Sequence, residues 1–446
     1  MLGTPAQAGV SISGHPTKNM DCVAGVCTPT APNSVLNVGD LAGMLAVGDV
    51  KVIADTAAKD IRFAASLSWT SSNRLTLESY RSIVFQRPVS VVGKGALTLI
   101  THEGDSSGDF WFERNGQVEF WDLNSSLTIN GQPYTLVKSI RQLAMAVTAD
   151  PSASYALSKN YDASKDGAYA RSPVPALSGG FEGLGNVFSN ITINSTDSDA
   201  QIGLFEAVGG LVHNAAVANI AITAQGTNNY IGGLAGAGDN VVHSSASGSI
   251  SGSGYLGGLL GLGGSSISYS QASVNLTSSG GSVGGLVGDL YGTGIFDCFA
   301  TGAVTGGDGA VAGGLVGLQE EGFIVNSYAT GRVQAGANAV VGGLVGVKVS
   351  YAFESYSTGS VSGGTGTPVG GFAGTDYQAC CNSYDYWDKE TSGTGKGTGY
   401  GNERYVVGLK TGRFKSAIPE GFDPAFWKES PGINDGYPYL ISNAPK

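Results

Sequence analysis

Asp297 and Glu354 occupy the same place in two versions of one phrase, "IFDCFATGAV" and "AFESYSTGSV". If successive phrases stack as neighbouring β-strands about 4.8 Å apart, two steps separate the carboxyls by about 9.6 Å, near the upper end of the range used by inverting glycosidases. Such a pair could protonate a glycosidic oxygen and activate water, which makes Asp297 and Glu354 the candidate catalytic residues if the chain cleaves polysaccharide. The whole column reads His213, His243, Tyr269, Asp297, Asn326, Glu354, Asn382. Its plainer reading is a solvated ladder in which polar side chains cover an edge. Aromatic residues follow the column as Phe299, Tyr328, Tyr356 and Tyr384. Tyr328, Tyr356 and Tyr384, with Asn326, form the candidate ligand-contact row, and structural stacking is the competing explanation.

Other chemistries find little support. The chain has four histidines, and "HEGDS" at 102–106 lacks the second histidine a zinc-protease helix requires. No GxSxG or Walker loop occurs, and "GGDG" at 306–309 falls short of a calcium-binding nonapeptide. His213 and His243 have no carboxylate in their phrases and there is no CxxC pair, so no metal site and no cofactor are expected. Of five cysteines, Cys22 and Cys27 in "CVAGVC" are placed to close a small disulfide loop in an oxidising compartment. Cys298, Cys380 and Cys381 read as small buried apolar residues.

The elements that position these residues come from a repeat. The glycine before the Leu or Phe of each glycine phrase, the second of a Gly-Gly pair in all but the first, falls at Gly203, Gly233, Gly258, Gly285, Gly314, Gly343 and Gly371, at spacings of 30, 25, 27, 29, 29 and 28 residues. Periods of 20 to 50 residues mark stacked units that cannot bury an apolar face alone. Each unit reads as two short strands, one at the glycine phrase and one at phrases such as "SYATGRV". The expected fold is all-β, a right-handed parallel β-solenoid or β-helix with short capping helices. Leu234, Leu259, Leu286, Leu315, Leu344 and Phe372 should form one inward ladder. Glycines should sit at corners, where the backbone takes positive φ or coils approach closely.

The pairing of "GGLVG" with "SYATG" resembles the GLUG motif, a repeat of filamentous-haemagglutinin-like exoproteins and of some bacterial surface peptidases. The resemblance spans about 176–400, from "GGFEGLGNVFSNITI" to "NSYDYWDKETSG". Upstream strands such as "ALTLITH" and "FWFERNGQVEFW" resemble the haemagglutination-type β-helix of two-partner secretion exoproteins, without the "NPNG" phrase of their export domain. The resemblance implies a scaffold and a bacterial-surface setting.

Four segments follow: an extension at 1–34 with the Cys22–Cys27 loop, a β-rich segment at 35–175, repeats at 176–400 and a C-terminal cap at 401–446. Helices are expected at 40–47 and at 136–147, where Ile140, Leu143, Ala144 and Val147 share a face. "RNGQ" around Asn115 and Gly116 signals a hairpin or tight corner. The net charge of −11 argues against nucleic acid or anionic membranes, no apolar run is long enough to span a bilayer, and residues 1–30 lack the order of a secretory leader, as in a mature segment. The reading is a secreted or cell-surface adhesin or structural exoprotein segment that contacts a polysaccharide, surface glycan or protein partner. The alternative is a polysaccharide-cleaving enzyme on the same scaffold.

Overall fold

The computed structural model describes residues 9–101, 108–113, 115–378 and 384–445. The "HEGDS" phrase, Cys380, Cys381 and Asn382 lie outside them. The chain is mostly β, with parallel stacked sheets forming a β-solenoid and a few short helices. It divides into two compact units. The first runs from the N-terminus to Leu143 and includes Ala153–Tyr161 and Phe181–Val187; the second comprises Ala144–Ser152, Asp162–Gly180 and Phe188–Lys446.

In the first unit each coil presents up to three strand faces. One stack runs Val50–Ala54, Arg74–Ser79, Ala96–Ile100, Ser126–Ile129, all parallel and in register. A second runs Leu67–Trp69, Val89–Val91, Val118–Phe120. In the third, the strand Gly9–Ser13 lies between Asn33–Asn37 and Asp60–Phe63, out of sequence order. Phe63 and Phe85 stack at 5.2 Å inside it. The disulfide Cys22–Cys27 joins a hairpin of Met20–Val23 and Val26–Pro29, which continues the Val50–Ala54 stack at its N-terminal edge. A covered edge cannot template pairing with another chain.

Two Asn-Gly pairs behave differently, and only the one at Asn115 and Gly116 is singled out from sequence. Asn130 and Gly131 turn the antiparallel hairpin of Ser126–Ile129 and Gln132–Val137 with φ of 48° and 81°. Gly116 instead forms a corner, since Phe110–Phe112 and Val118–Phe120 pair with other coils rather than with each other.

The first helix, Val38–Val47, begins two residues before the expected 40–47 because the Asn37 side chain accepts from Gly39 N and Asp40 N. It buries Leu41 and Leu45. The second, Ile140–Ala149, begins four residues after the expected 136, since Gln132–Val137 is a strand and Ser139 accepts the first helical N–H groups. Ile140, Leu143 and Val147 are buried as expected.

In the second unit the coils carry more strands than the two expected. One coil contains Val316–Gln319, Phe323–Val325, Tyr328–Ala329, Val333–Ala335 and Val340–Gly342. The runs are short because a corner interrupts each phrase. Leu234, Leu259, Leu286, Leu315, Leu344 and Phe372 are all fully buried, and Leu286 N donates to Leu315 O at 2.8 Å as Leu315 N does to Leu344 O. The ladder is therefore in register, one coil apart, each leucine contributing about 1.5–3 kcal/mol by burial. Beside it, close approach requires glycine: a Cβ on Gly314 would lie 2.1 Å from the Gly343 carbonyl oxygen.

Candidate functional site

Positive φ appears at the corner of the second phrase and is not taken by glycine. Asn214, His243, Tyr269, Asp297, Asn326, Glu354 and Tyr384 have φ between 47° and 54°. This corrects the column read from sequence at its first member, while its last, Asn382, lies outside the described residues. His213 pairs with Val242, so Asn214 is the corner residue beside His243, and Tyr384 is another residue of the same conformation. Asp297 N donates to Val325 O and Asn326 N to Phe353 O, so the backbone ladder continues around the corner. Asparagine and aspartate tolerate this conformation best, which explains their recurrence without any catalytic role.

The next position carries a row that sequence reasoning missed. Ser244, Ser270, Cys298, Ser327 and Ser355 each direct their Oγ or Sγ–H to the carbonyl two residues back. Each also accepts the backbone N–H of the preceding coil, from Ala215 N to Ser244 through Ser327 N to Ser355, and Asp385 Oδ1 accepts Ser355 N. These side chains replace the ladder bonds that the corner removes. The signal was visible as a small polar residue before each aromatic. Burial pushes the Cys298 thiol far up, as suits a packing role.

The aromatic row stacks as predicted over its first three members and then departs. Phe299 and Tyr328 are 4.9 Å apart and Tyr328 and Tyr356 5.0 Å, nearly parallel. The fourth rung is Tyr386, which pairs with Tyr356; Tyr384 is the corner residue and is 39% exposed. Tyr328 and Tyr356 are 0% exposed. The expectation of an open contact row is corrected there, because the C-terminal segment covers it. Phe414, Phe422, Trp427, Tyr437 and Leu440 pack on the row. Trp427 Nε1 donates to Asn326 Oδ1 at 3.2 Å, Tyr356 Oη to Pro438 O, and Asn434 Nδ2 to Tyr356 Oη at 2.8 Å. The segment from Thr411 to Asn443 thus caps the flank of the repeats.

Asp297 lies under the same cover and half-buried Glu354 at its margin. Asn443 Nδ2 donates to Asp297 O at 3.1 Å, and Asp423 N to Glu354 Oε2 at 3.0 Å. Asp297 is buried, with Oδ1 unpartnered among the described residues. Burial raises its carboxyl to about 6, the Asn326 hydrogen bond opposing and the Glu354 charge reinforcing the shift. A raised acid suits proton donation, yet Asn326 stands between the two carboxyls and the C-terminal segment occupies the place a sugar chain would need.

The carboxylates that follow the glycine phrases also divide. Asp376 is buried and its carboxylate receives Lys348 Nζ at 3.0 Å, and Asp289 is 6% exposed with Oδ1 unpartnered among the described residues. Glu320 and Glu321 are exposed.

Open aromatic surface stands elsewhere. Tyr291, Glu320, Val349 and Tyr377 each follow an in-register strand, and their N–H groups bond to the preceding coil at Gly263 O, Leu290 O, Gln319 O and Lys348 O. They make one outer row, with Tyr291, Val349 and Tyr377 exposed by 55%, 39% and 63%. Beside it Phe323, 44% exposed, lies 6.2 Å from Tyr351, and Tyr351 lies 5.9 Å from Phe353. A shallow groove of about 450 Å³ on the flank between 163 and 221 is lined by small and polar residues, and there Asn190 bonds to Asp162 and Asn219 to Asn190.

No protein-family model matches the chain, and no curated protein matches it. A solved structure from Bacteroides ovatus, described as a "putative immunoglobulin A1 protease", is similar at 20% identity with a TM-score of 0.45, covering 70% of this chain and 93% of that one. Among the described residues no helix is long and apolar enough to cross a membrane.

Proposed function

We propose that this chain is an adhesion or presentation segment of a secreted or cell-surface bacterial exoprotein. It holds an extended partner, a surface glycan or a matrix-type protein, along a rigid solenoid. The observation that carries the reading is the aromatic ridge of exposed Tyr291, Phe323 and Tyr377 with half-buried Tyr351, spread over successive coils whose interior is filled with side chains. Large exposed apolar groups on a regular scaffold mark interaction sites, and equivalent groups on neighbouring coils add weak contacts along one partner. The GLUG-like phrases and the disulfide agree with an exported protein.

The enzymatic alternative has less support, since Asp297 and Glu354 are bonded to the C-terminal segment rather than set in a cleft. A glycan array and a panel of immobilised matrix proteins, probed with the whole chain and with Tyr291→Ala/Tyr377→Ala, test the proposal. Retained binding to one class, lost in the double variant, is expected. Reducing-sugar release from a polysaccharide panel, abolished by Asp297→Asn and Glu354→Gln, would replace adhesion with catalysis.

A further inference from the structure

We propose that the aromatic ridge recognises a cationic protein segment, an extended stretch bearing arginine or lysine, which rests on the adhesion reading and names its partner class. Three observations converge. The ridge offers accessible rings: Tyr291, Phe323 and Tyr377 are 55%, 44% and 63% exposed, and Tyr351 and Phe353 extend the surface. Guanidinium and ammonium groups are drawn to such faces when they lie within about 6 Å.

Second, carboxylates are interleaved with the rings. Glu320 occupies the coil between Tyr291 and Val349 in the outer row, and Glu321 follows it. Asp289 lies two residues before Tyr291, nine-tenths buried, with Oδ1 unpartnered among the described residues. Tyr230, whose ring stacks on Tyr255 at 4.8 Å, has its hydroxyl pushed up by burial and then by the charges of Tyr255, Asp289 and Glu320, so a second aromatic pair adjoins the same carboxylates.

Third, the coils that carry the ridge hold few compensating cations of their own, although Arg404 on the following coil lies two residues past Asn402, which bonds to Asp376 O and Gln378 O. Between 285 and 378 the sequence has seven acidic residues, Asp289, Asp297, Asp308, Glu320, Glu321, Glu354 and Asp376, and two basic ones, Arg332 and Lys348. Lys348 is turned inward and held by Asp376, and Arg332 precedes the strand Val333–Ala335 on another face of the coil. Neutral glycan hydroxyls would donate to the carboxylates without compensating their charge, whereas a basic chain stacks on the rings and neutralises the carboxylates. Coils repeat along the axis at about 4.8 Å and alternate side chains of an extended peptide at about 6.6–6.8 Å, so a peptide lying along the ridge can meet several rungs.

The test is fluorescence anisotropy of labelled octa-arginine with the whole chain, at low and high salt, beside a glycan array. Glu320→Gln/Glu321→Gln and Tyr291→Ala/Tyr377→Ala should each weaken binding by roughly tenfold, the first pair losing its salt dependence. Asp197→Asn/Glu206→Gln removes two exposed charges away from the ridge and should leave binding within about twofold. Equal weakening by that control pair would reduce the effect to bulk charge and overturn the inference. Glycan binding through Tyr291 and Tyr377 without peptide binding would also overturn it while leaving adhesion standing. Absence of both would remove both.

Discussion

Two aromatic rows of the second unit have opposite fates. Phe299, Tyr328, Tyr356 and Tyr386 keep one register and vanish beneath the C-terminal segment; Tyr291 and Tyr377 share their row with Glu320 and Val349, Phe323 lies beside it, and these rings stay open. The regular row is the buried one. A packed environment repeats with every coil and so demands the same side chain each time, whereas a solvated row has no such demand and drifts. In a solenoid, strict recurrence of an aromatic is therefore evidence of burial, and a broken row of exposed rings is the better place to look for a partner.

The largest effect that could break this comparison is on the buried row. Tyr356→Ala removes the stack on Tyr328, the ring contacts with Phe414, Phe422 and Trp427 and the bonds to Pro438 O and Asn434, and it should cost about 3–5 kcal/mol. Denaturant unfolding would show it as a lowered midpoint; a midpoint near that of the parent would mean the cover is loose. Next comes Asp297→Asn. The folded carboxyl titrates near 6, above its ordinary 3.8, so the native state holds its proton longer than the unfolded chain. Its destabilisation therefore grows as pH rises from about 4 to 6 and is complete above that. Asp297→Asn should raise stability by about 1–3 kcal/mol at pH 8 and by little at pH 4, seen in melting curves at both values. An unchanged pH dependence would place the charge in water.

How far the fold was legible follows the same logic. The Gly-Gly phrases and Leu286, Leu315 and Leu344 are read directly because core register repeats with the chain. The insertion of Gly9–Ser13 between Asn33–Asn37 and Asp60–Phe63 was not, since one strand placed out of order leaves no periodic trace. The corner was misread at His213 because its constraint is backbone conformation, which Asn, Asp, His, Tyr and Glu all satisfy here, so identity wanders while φ holds. Tyr328 and Tyr356 were found in the right column and on the wrong side of the surface. What covers them is a segment without the repeat, and its docking is a long-range contact that no local pattern encodes. The Lys348–Asp376 pair escaped for a related reason: a charge in a strand reads as exposed until its partner on the next coil is seen.

Smaller effects sharpen the contrast. Ser327→Ala leaves Cys298 N without its acceptor and should cost about 1–2 kcal/mol, with faster hydrogen exchange at that amide as the local readout. Tyr328→Phe goes the other way. The Tyr328 hydroxyl is buried and unpartnered among the described residues, and Phe299 already shows that the row accepts a plain ring, so the change should be neutral or stabilise by up to about 1 kcal/mol.

The smallest stability effect belongs to the open row. Tyr377 is 63% exposed at the end of its strand and contributes its N–H to Lys348 O through the backbone, which alanine would keep. Tyr377→Ala should therefore shift stability by under about 0.5 kcal/mol while Tyr356→Ala shifts it several times more. A ring retained in water at no gain in folding has its reason outside the fold, so the same substitution must appear in binding if the ridge is used. Should Tyr377→Ala instead destabilise as strongly as Tyr356→Ala, the ring is packed in solution and the two rows differ only in how completely they are buried.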